Sequence, residues 1–270
     1  MIMNKPFALA GAAALMLAAC GGGAEPAATG FDLNSYEIVD LSHGYGPETV
    51  YWPNAPTRFE KTPIFEGERD DGMFYSAFTI STPEHGGTHM DAPYHFDPDG
   101  DYAADVPLTR LIAPAVVIDV TDKAAADRLY RLTAEDVAAF EKANGEIPAG
   151  AIVLMRTGWS KFWPDAEAYL GGSDPAALAF PSFGPDAARM LIEERGAAAL
   201  GLDTGSTDYG PSQDFPVHRI MGAANTPGLE NLTNLDRLPA TGAIVIALPM
   251  KIEGGSGGPL RAIALIPKAK

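Results

Sequence analysis

The chain has 270 residues, with 19 Lys and Arg against 35 Asp and Glu, a formal net charge of −16 when histidines are neutral. A surface this acidic is well solvated and repels phosphate backbones, and no basic stripe offsets it, which argues against nucleic acid as a partner. Cys20 is the only cysteine, so no disulfide can form within one chain.

Met1 to Ala19 reads as a secretory signal peptide. Lys5 supplies the early cation, Phe7 to Ala19 is apolar and interrupted by Gly11, and small residues end the stretch. It is too short for a comfortable membrane span. Leu17-Ala18-Ala19-Cys20 resembles the bacterial lipoprotein box, in which the cysteine becomes the lipidated first residue; an ordinary cleaved signal is the other reading. Cys20 is followed by Gly21-Gly22-Gly23-Ala24-Glu25-Pro26, a flexible sequence suited to a tether over residues 20–34. The expected setting is the bacterial cell envelope, periplasm-facing or at the surface, with membrane contact only through the lipid. Residues 35–270 then form a single domain, long enough to bury a substantial core.

Within it, strand and helix signals alternate. Tyr36 to Leu41 and Phe74 to Thr82 read as strands, and Ala115 to Val120 and Ala151 to Met155 as short buried ones. Thr133 is a plausible N-cap for a helix to about Ala143, with Glu135 and Asp136 in its first turn. Pro185 to Arg195 is the clearest helix, with proline at its start, Ala188, Leu191 and Ile192 on one face, and Gly196 after it. Ala197 to Leu202, Ile244 to Leu248 and Ala262 to Ile266 complete a mixed α/β pattern.

Of the five histidines, His85, His89 and His95 lie close together in His85-Gly86-Gly87-Thr88-His89-Met90-Asp91-Ala92-Pro93-Tyr94-His95. Extended backbone would project His85, His89, Asp91 and His95 from one side. Gly86 and Gly87 permit close bends, and Pro93 stops a central strand. Imidazole with carboxylate suits divalent zinc, manganese or iron. Such a cation acidifies water and polarises a carbonyl, leaving a spare histidine to move protons. The alternative is a polar loop whose histidines merely satisfy backbone groups.

This segment resembles the signature H-x-G-T-H-x-D-x-P-x-H of the cyclase family, which includes bacterial kynurenine formamidase and isatin hydrolase. The similarity extends over most of the chain after the tether. Asp40-Leu41-Ser42-His43 with Tyr51-Trp52-Pro53 is similar to the family's opening. Gly201-Leu202-Asp203-Thr204, Pro216-Val217-His218 and Leu229 to Leu235 are similar to its second half, and Gly254 to Arg261 to its glycine-rich close. The resemblance implies a swivelling β/β/α fold, an open barrel-like mixed sheet with helices around it, and a homo-oligomer, dimer or larger. It makes His85, His89 and Asp91 metal ligands, with Asp91 able to bridge two metals, and His95 the proton donor and acceptor. His218 and Glu230 would complete a second metal position. On the residues alone, His218 is as readily a surface residue, and Glu230 reads as an acid at a helix start. Trp52 corresponds to a substrate-contacting aromatic, with Phe74 or Trp159 expected to stack beside it on the substrate's ring. One or two zinc or manganese ions per chain follow. The implied activity is hydrolysis of an amide bond in an isatin-like lactam or an N-formylkynurenine-like formamide. A small lactone or other cyclic ester is the alternative substrate. Compared with the shorter kynurenine formamidases, the extra length falls in 123–150 and 159–183, the latter either a substrate-covering loop or a surface excursion.

Two rivals are weaker. Asp203-Thr204-Gly205-Ser206 after an apolar run is similar to the catalytic loop of aspartic proteases, but those enzymes need two such aspartates and only one copy is present. A non-catalytic metal-binding lipoprotein would use the same ligands, yet His95 is then surplus, and the His-rich tracts of carriers are missing.

Overall fold

The computed structural model describes residues 31–268. The expected signal peptide, Cys20 and the tether as far as residue 30 lie outside the described residues.

Twelve strands occur among the described residues: β1 Tyr36–Asp40, β2 Glu60–Glu68, β3 Phe74–Ser81, β4 His89–Asp91, β5 Ile112–Asp119, β6 Arg131–Leu132, β7 Ile152–Arg156, β8 Ser182–Phe183, β9 Ala199–Leu202, β10 Gly228–Glu230, β11 Thr241–Pro249 and β12 Gly257–Pro267. Eight of them form one sheet in the order β1-β12-β11-β5-β7-β9-β10-β4, and β4 pairs back onto β12. Seven strands, β12 round to β4, therefore close on themselves with β1 added outside against β12, giving the barrel-like mixed sheet that the resemblance implies. Strands β5, β7, β9 and β10 are parallel neighbours, while β11, β12, β1 and β4 pair antiparallel.

The parallel strands are buried on both faces, which is why they read as continuous apolar runs rather than alternating ones. Along β7, Ile152 and Leu154 join the core that also holds Val39, Met90, Val117, Leu229 and Val245. Val153 and Met155 point the other way, towards Val137, Phe140, Leu191 and Val217 on the surrounding helices.

Six α-helices are described: α1 Leu108–Leu111, α2 Thr121–Ala126, α3 Ala134–Asn144, α4 Ala166–Leu170, α5 Pro185–Arg189 and α6 Pro216–Ala223. Thr133 caps α3 as expected, in a capping box with Asp136. The predicted helix from Pro185 is present, but it widens into a π-helical stretch over Met190–Glu194 before Gly196 ends it.

The stretch 159–183 is more than a surface excursion. Trp159, Tyr169, Leu170, Leu178 and Phe180 are buried with Val50, and Trp52, Phe162 and Trp163 pack against them. This third cluster forms a wall beside the site described below. The β2–β3 hairpin was half legible: β3 is predicted and β2, interrupted by Pro63 and a register shift between Pro63 and Phe65, is not. Phe65, Phe74 and Tyr75 on it are exposed, Phe74 to 68%. Among the described residues, no helix is long and apolar enough to cross a membrane.

Candidate metal centre

Strand β4 lies between β10 and β12, and its three residues divide by parity. Met90 enters the apolar core opposite Leu229. His89 and Asp91 face the other way, and Glu230 stands directly across from His89. The extended geometry expected of the whole histidine segment holds only for His89 to Asp91. His85 is brought in by the bend before them. There Gly86 and Gly87 take φ of +137° and +61°, and a Cβ on Gly87 would lie 2.6 Å from the Tyr45 ring. His95 returns on the 3₁₀ turn Pro93–His95. His218 arrives on α6, whose first turn starts at Pro216.

Two groups of potential ligands result, His85 with His89 and Asp91, and Asp91 with His218 and Glu230; within each, the donor atoms lie within 4.8 Å of one another. Asp91 belongs to both. Its Oδ1 is 2.6 Å from His85 Nδ1 and 3.2 Å from His89 Nε2, and its Oδ2 is 3.3 Å from His218 Nε2. Glu230 reaches His89 Nε2 at 3.7 Å and His218 Nε2 at 3.4 Å. Asp91, His89, His218 and Glu230 are all buried.

The outward nitrogen of each buried imidazole is anchored. His89 Nδ1–H donates to the Gly87 carbonyl at 2.9 Å. His218 Nδ1–H donates to Asp208 Oδ2 at 2.7 Å. Both rings therefore turn Nε2 towards the two carboxylates, as a metal ligand should. Asp208 also accepts from the backbone N–H groups of Val217 and His218, so one carboxylate caps α6 and aims its histidine.

The electrostatics fit a cation. For His89, burial pulls the pKa down, but the Asp91 charge and hydrogen bond, with Glu230 behind them, raise it to about 9. His218 is raised well above the ordinary value against its own burial, through Asp208, Asp91 and Glu230. Burial and the Asp91 charge push Glu230 up. Asp91 is held well below the usual carboxylate range, since the imidazoles overcome its burial. The cluster thus demands positive charge, and protons on His89 and His218 meet that demand in the metal-free protein. Asp91 Oδ2 is buried and meets His218 Nε2 at 3.3 Å without a well-aligned hydrogen bond, which leaves its lone pairs available to a ligand bond. This N/O donor set fits a divalent cation.

His95 stands apart from the ligand groups. Its ring stacks on His85, with centroids 3.8 Å apart and planes 19° from parallel. Burial, together with repulsion by the imidazoles of His85, His218 and His89, outweighs attraction to Asp91 and lowers its pKa to about 3. It is therefore neutral at pH 7, the form that accepts a proton.

Above the cluster is a cavity of about 280 Å³ whose rim and walls include Trp52, Phe96, Leu170, Phe215 and Asn231. Trp52 lines this cavity. Phe74 sits out on the exposed hairpin and Trp159 inside the third cluster, so neither lines the cavity, whereas Phe96 and Phe215 do. Phe215 holds φ of +45° just before Pro216, a strained conformation for a bulky residue that concentrates at working sites. Asn231, at φ +55°, donates from Nδ2 to the Gly87 carbonyl and accepts from Tyr169 Oη. Sequence reasoning missed Asp208, Phe96, Phe215 and Asn231. A positive-φ asparagine leaves no trace in hydrophobic periodicity, and the backbone partners of Asp208 lie nine and ten residues further on.

The protease-like Asp203 has a structural task. Buried, it accepts from Thr157 N, Thr157 Oγ1, Gly158 N and Trp159 N, which pins the start of the 159–183 stretch.

Comparison with known proteins gives the same picture. The Cyclase family model matches residues 39–209. The chain is 40% identical over 246 residues to isatin hydrolase from Roseibium aggregatum, covering 86% of this chain and 93% of that one. Kynurenine formamidase from Salinibacter ruber is 28% identical over 226 residues, with 84% and 96% covered. The crystal structure of an isatin hydrolase bound to the product analogue thioisatinate superposes with a TM-score of 0.80 at 37% identity, over 87% of this chain and 94% of that chain. With a matching signature, a closed mixed barrel and two ligand groups sharing Asp91, this chain belongs to the Cyclase family.

Proposed function

We propose that this chain is a metal-dependent amidohydrolase that cleaves the amide bond of a small aryl substrate, an isatin-like lactam or an N-formylkynurenine-like formamide. One observation carries the reading: two ligand groups hinged on Asp91 at the floor of an aromatic cavity, with a neutral imidazole, His95, beside them. The 40% identity to an isatin hydrolase supports the cyclic substrate ahead of the formamide.

His85, His89 and Asp91 would hold one divalent ion and Asp91, His218 and Glu230 a second. Zinc and manganese both suit these donors. When bound, the metal supplies Lewis acidity, acidifying water and polarising a carbonyl. Trp52, Phe96 and Phe215 pack around the aryl ring, and the apolar wall at Leu170 keeps bulk water from the scissile bond. His95 takes the proton from the attacking water as the C–O bond forms and delivers it to the leaving nitrogen as the C–N bond breaks. Water is thereby split between the new carboxyl group and the amine, so no further reactant is required. We also assign Cys20 as the lipidated first residue after a signal peptide ending at Ala19, with residues 20–34 as a tether and 35–270 as the catalytic domain in the cell envelope. A homo-oligomer accords with the family resemblance.

The test is metal content by elemental analysis of the purified chain, with assays on isatin and N-formylkynurenine before and after EDTA. One or two zinc or manganese ions and EDTA-sensitive turnover are expected. Bound metal without turnover of either compound would shift the search to lactones and other cyclic esters. A chain that takes up no metal on reconstitution would overturn the reading.

A further inference from the structure

The glycine-rich close of the sequence takes no part in the chemistry above, yet it wraps one of the proposed ligands. Ser256, at the entrance to β12, places Oγ 2.9 Å from His85 Nε2 and 2.6 Å from Glu84 Oε2. Its backbone is fixed on both sides: the N–H donates to the same Glu84 oxygen at 3.1 Å, and the carbonyl accepts from Ala92 N at 2.9 Å. The neighbouring Gly257 allows this approach, because a Cβ there would lie 2.7 Å from His85 Cε1 and 2.5 Å from the Met90 carbonyl.

With a single proton on His85, the hydrogens in this chain have one consistent arrangement. A serine hydroxyl owns a single hydrogen. Glu84 Oε2, a carboxylate acceptor already taking the Ser256 N–H, also takes that hydrogen. Ser256 Oγ must then accept from His85, so the imidazole proton sits on Nε2. Nδ1 is left with its lone pair facing Asp91 Oδ1 at 2.6 Å. Two acceptors at that separation need a cation in common, a metal or, without one, a second proton. His89 and His218 are held the opposite way, each with its proton on Nδ1 and Nε2 turned inward.

We propose that Ser256 and Glu84 are positioning residues that keep the His85 proton on Nε2 and so reserve Nδ1 for the metal, through a carboxylate–hydroxyl–imidazole relay. It rests on the metal reading of the site. A carboxylate partner that orients a ligating imidazole contributes about 10–100-fold in metal affinity, and here the serine extends its reach by one hydroxyl.

The experiment compares Ser256→Ala, Ser256→Thr and Glu84→Gln with the wild-type full chain, titrated with zinc in competition with a chromogenic chelator. Nitrogen-15 spectra of the zinc-loaded proteins report which ring nitrogen of His85 carries hydrogen. The expected result is about a 10–100-fold weaker zinc affinity for Ser256→Ala, a lesser loss for Glu84→Gln, and recovery in Ser256→Thr, which restores the hydroxyl. The His85 signals should lose their fixed Nε2–H pattern in Ser256→Ala alone of the two serine variants. Unchanged affinity and unchanged His85 signals in Ser256→Ala would overturn the relay. So would equal losses in Ala and Thr, which would mark Ser256 as a packing residue. Failure of the wild-type chain to bind zinc would instead remove the metal reading itself.

Discussion

The two flanks of Asp91 are built in different ways. His85 and His89 come from the same short segment as Asp91, whereas His218 and Glu230 come from α6 and β10, far along the chain. The near flank depends on a bend at Gly86-Gly87 and a three-residue strand. The far flank exists only because the sheet brings β10 alongside β4 and because Asp208 aims the histidine of α6. Local geometry should therefore make the near flank the sturdier, and long-range packing should make the far flank the more easily lost.

The largest expected effect tests the hinge between them. Asp91→Ala removes the carboxylate shared by both flanks and leaves three imidazoles around one remaining acid. Metal content should fall towards zero and turnover by about a thousandfold or more, as removal of the Lewis acid implies. Elemental analysis of the variant decides it: retention of one full equivalent would mean that the far flank holds metal without Asp91, and the hinge would be lost.

His95 sharpens the comparison from the side of the chemistry. It shares the near segment with the ligands but stacks on His85 rather than facing the carboxylates. His95→Ala should lower kcat by about 10²–10⁴-fold, the usual share of a general acid–base group, with metal content unchanged. Metal loss matching that of Asp91→Ala would make His95 a ligand.

The same contrast explains what could be read in advance. The near flank was legible because a metal needs several donors at close quarters, and one segment supplies them at fixed spacing. The buried strands β5, β7 and β9 were legible as apolar runs with Gly and Pro between them. His218 and Glu230 were ambiguous on their own residues, since a histidine in a first helical turn and an acid among Leu and Asn suit a surface equally well; only the resemblance raised them. Glu230 proved to be a strand residue paired with His89, not a helix-start acid. Strand β2 was missed because Pro63 and a bulge break its alternation. Phe96 and Phe215 were missed since nothing in periodicity separates a ring lining a cavity from a ring in a core.

Asp208 gives a third, smaller test, confined to the far flank. Asp208→Asn keeps the shape but weakens acceptance from His218 Nδ1–H and from two backbone N–H groups at the start of α6. Affinity for the second metal should fall about 10–100-fold, and the loss of capping should cost about 1 kcal/mol of stability. A chelator titration resolving two steps would show the second one move while the first stays. Movement of both would mean that the flanks are not separable in this way.

The smallest effect concerns protons rather than metal, and it belongs to the near flank. In the metal-free protein the pKa of His89 stands at about 9, against an ordinary value near 6.5. Between those two values the folded state binds more protons than the unfolded one, so stability falls as pH rises. The stabilisation from protonated His89 is complete below about pH 6.5 and is lost as pH rises through about 9. Raised His218 adds to the same trend. A bound divalent cation takes the place of these protons, so metal uptake near neutral pH should release protons and remove this contribution to the pH dependence. Melting temperatures of EDTA-treated and zinc-loaded protein across pH 6, 7.5 and 9 test both halves. The metal-free protein should lose stability over that range while the loaded protein loses less. A metal-free Tm that is flat or rising would mean that the carboxylates of Asp91 and Glu230 do not hold protons on their imidazole neighbours, and that the cluster's demand for positive charge is weaker than its geometry implies.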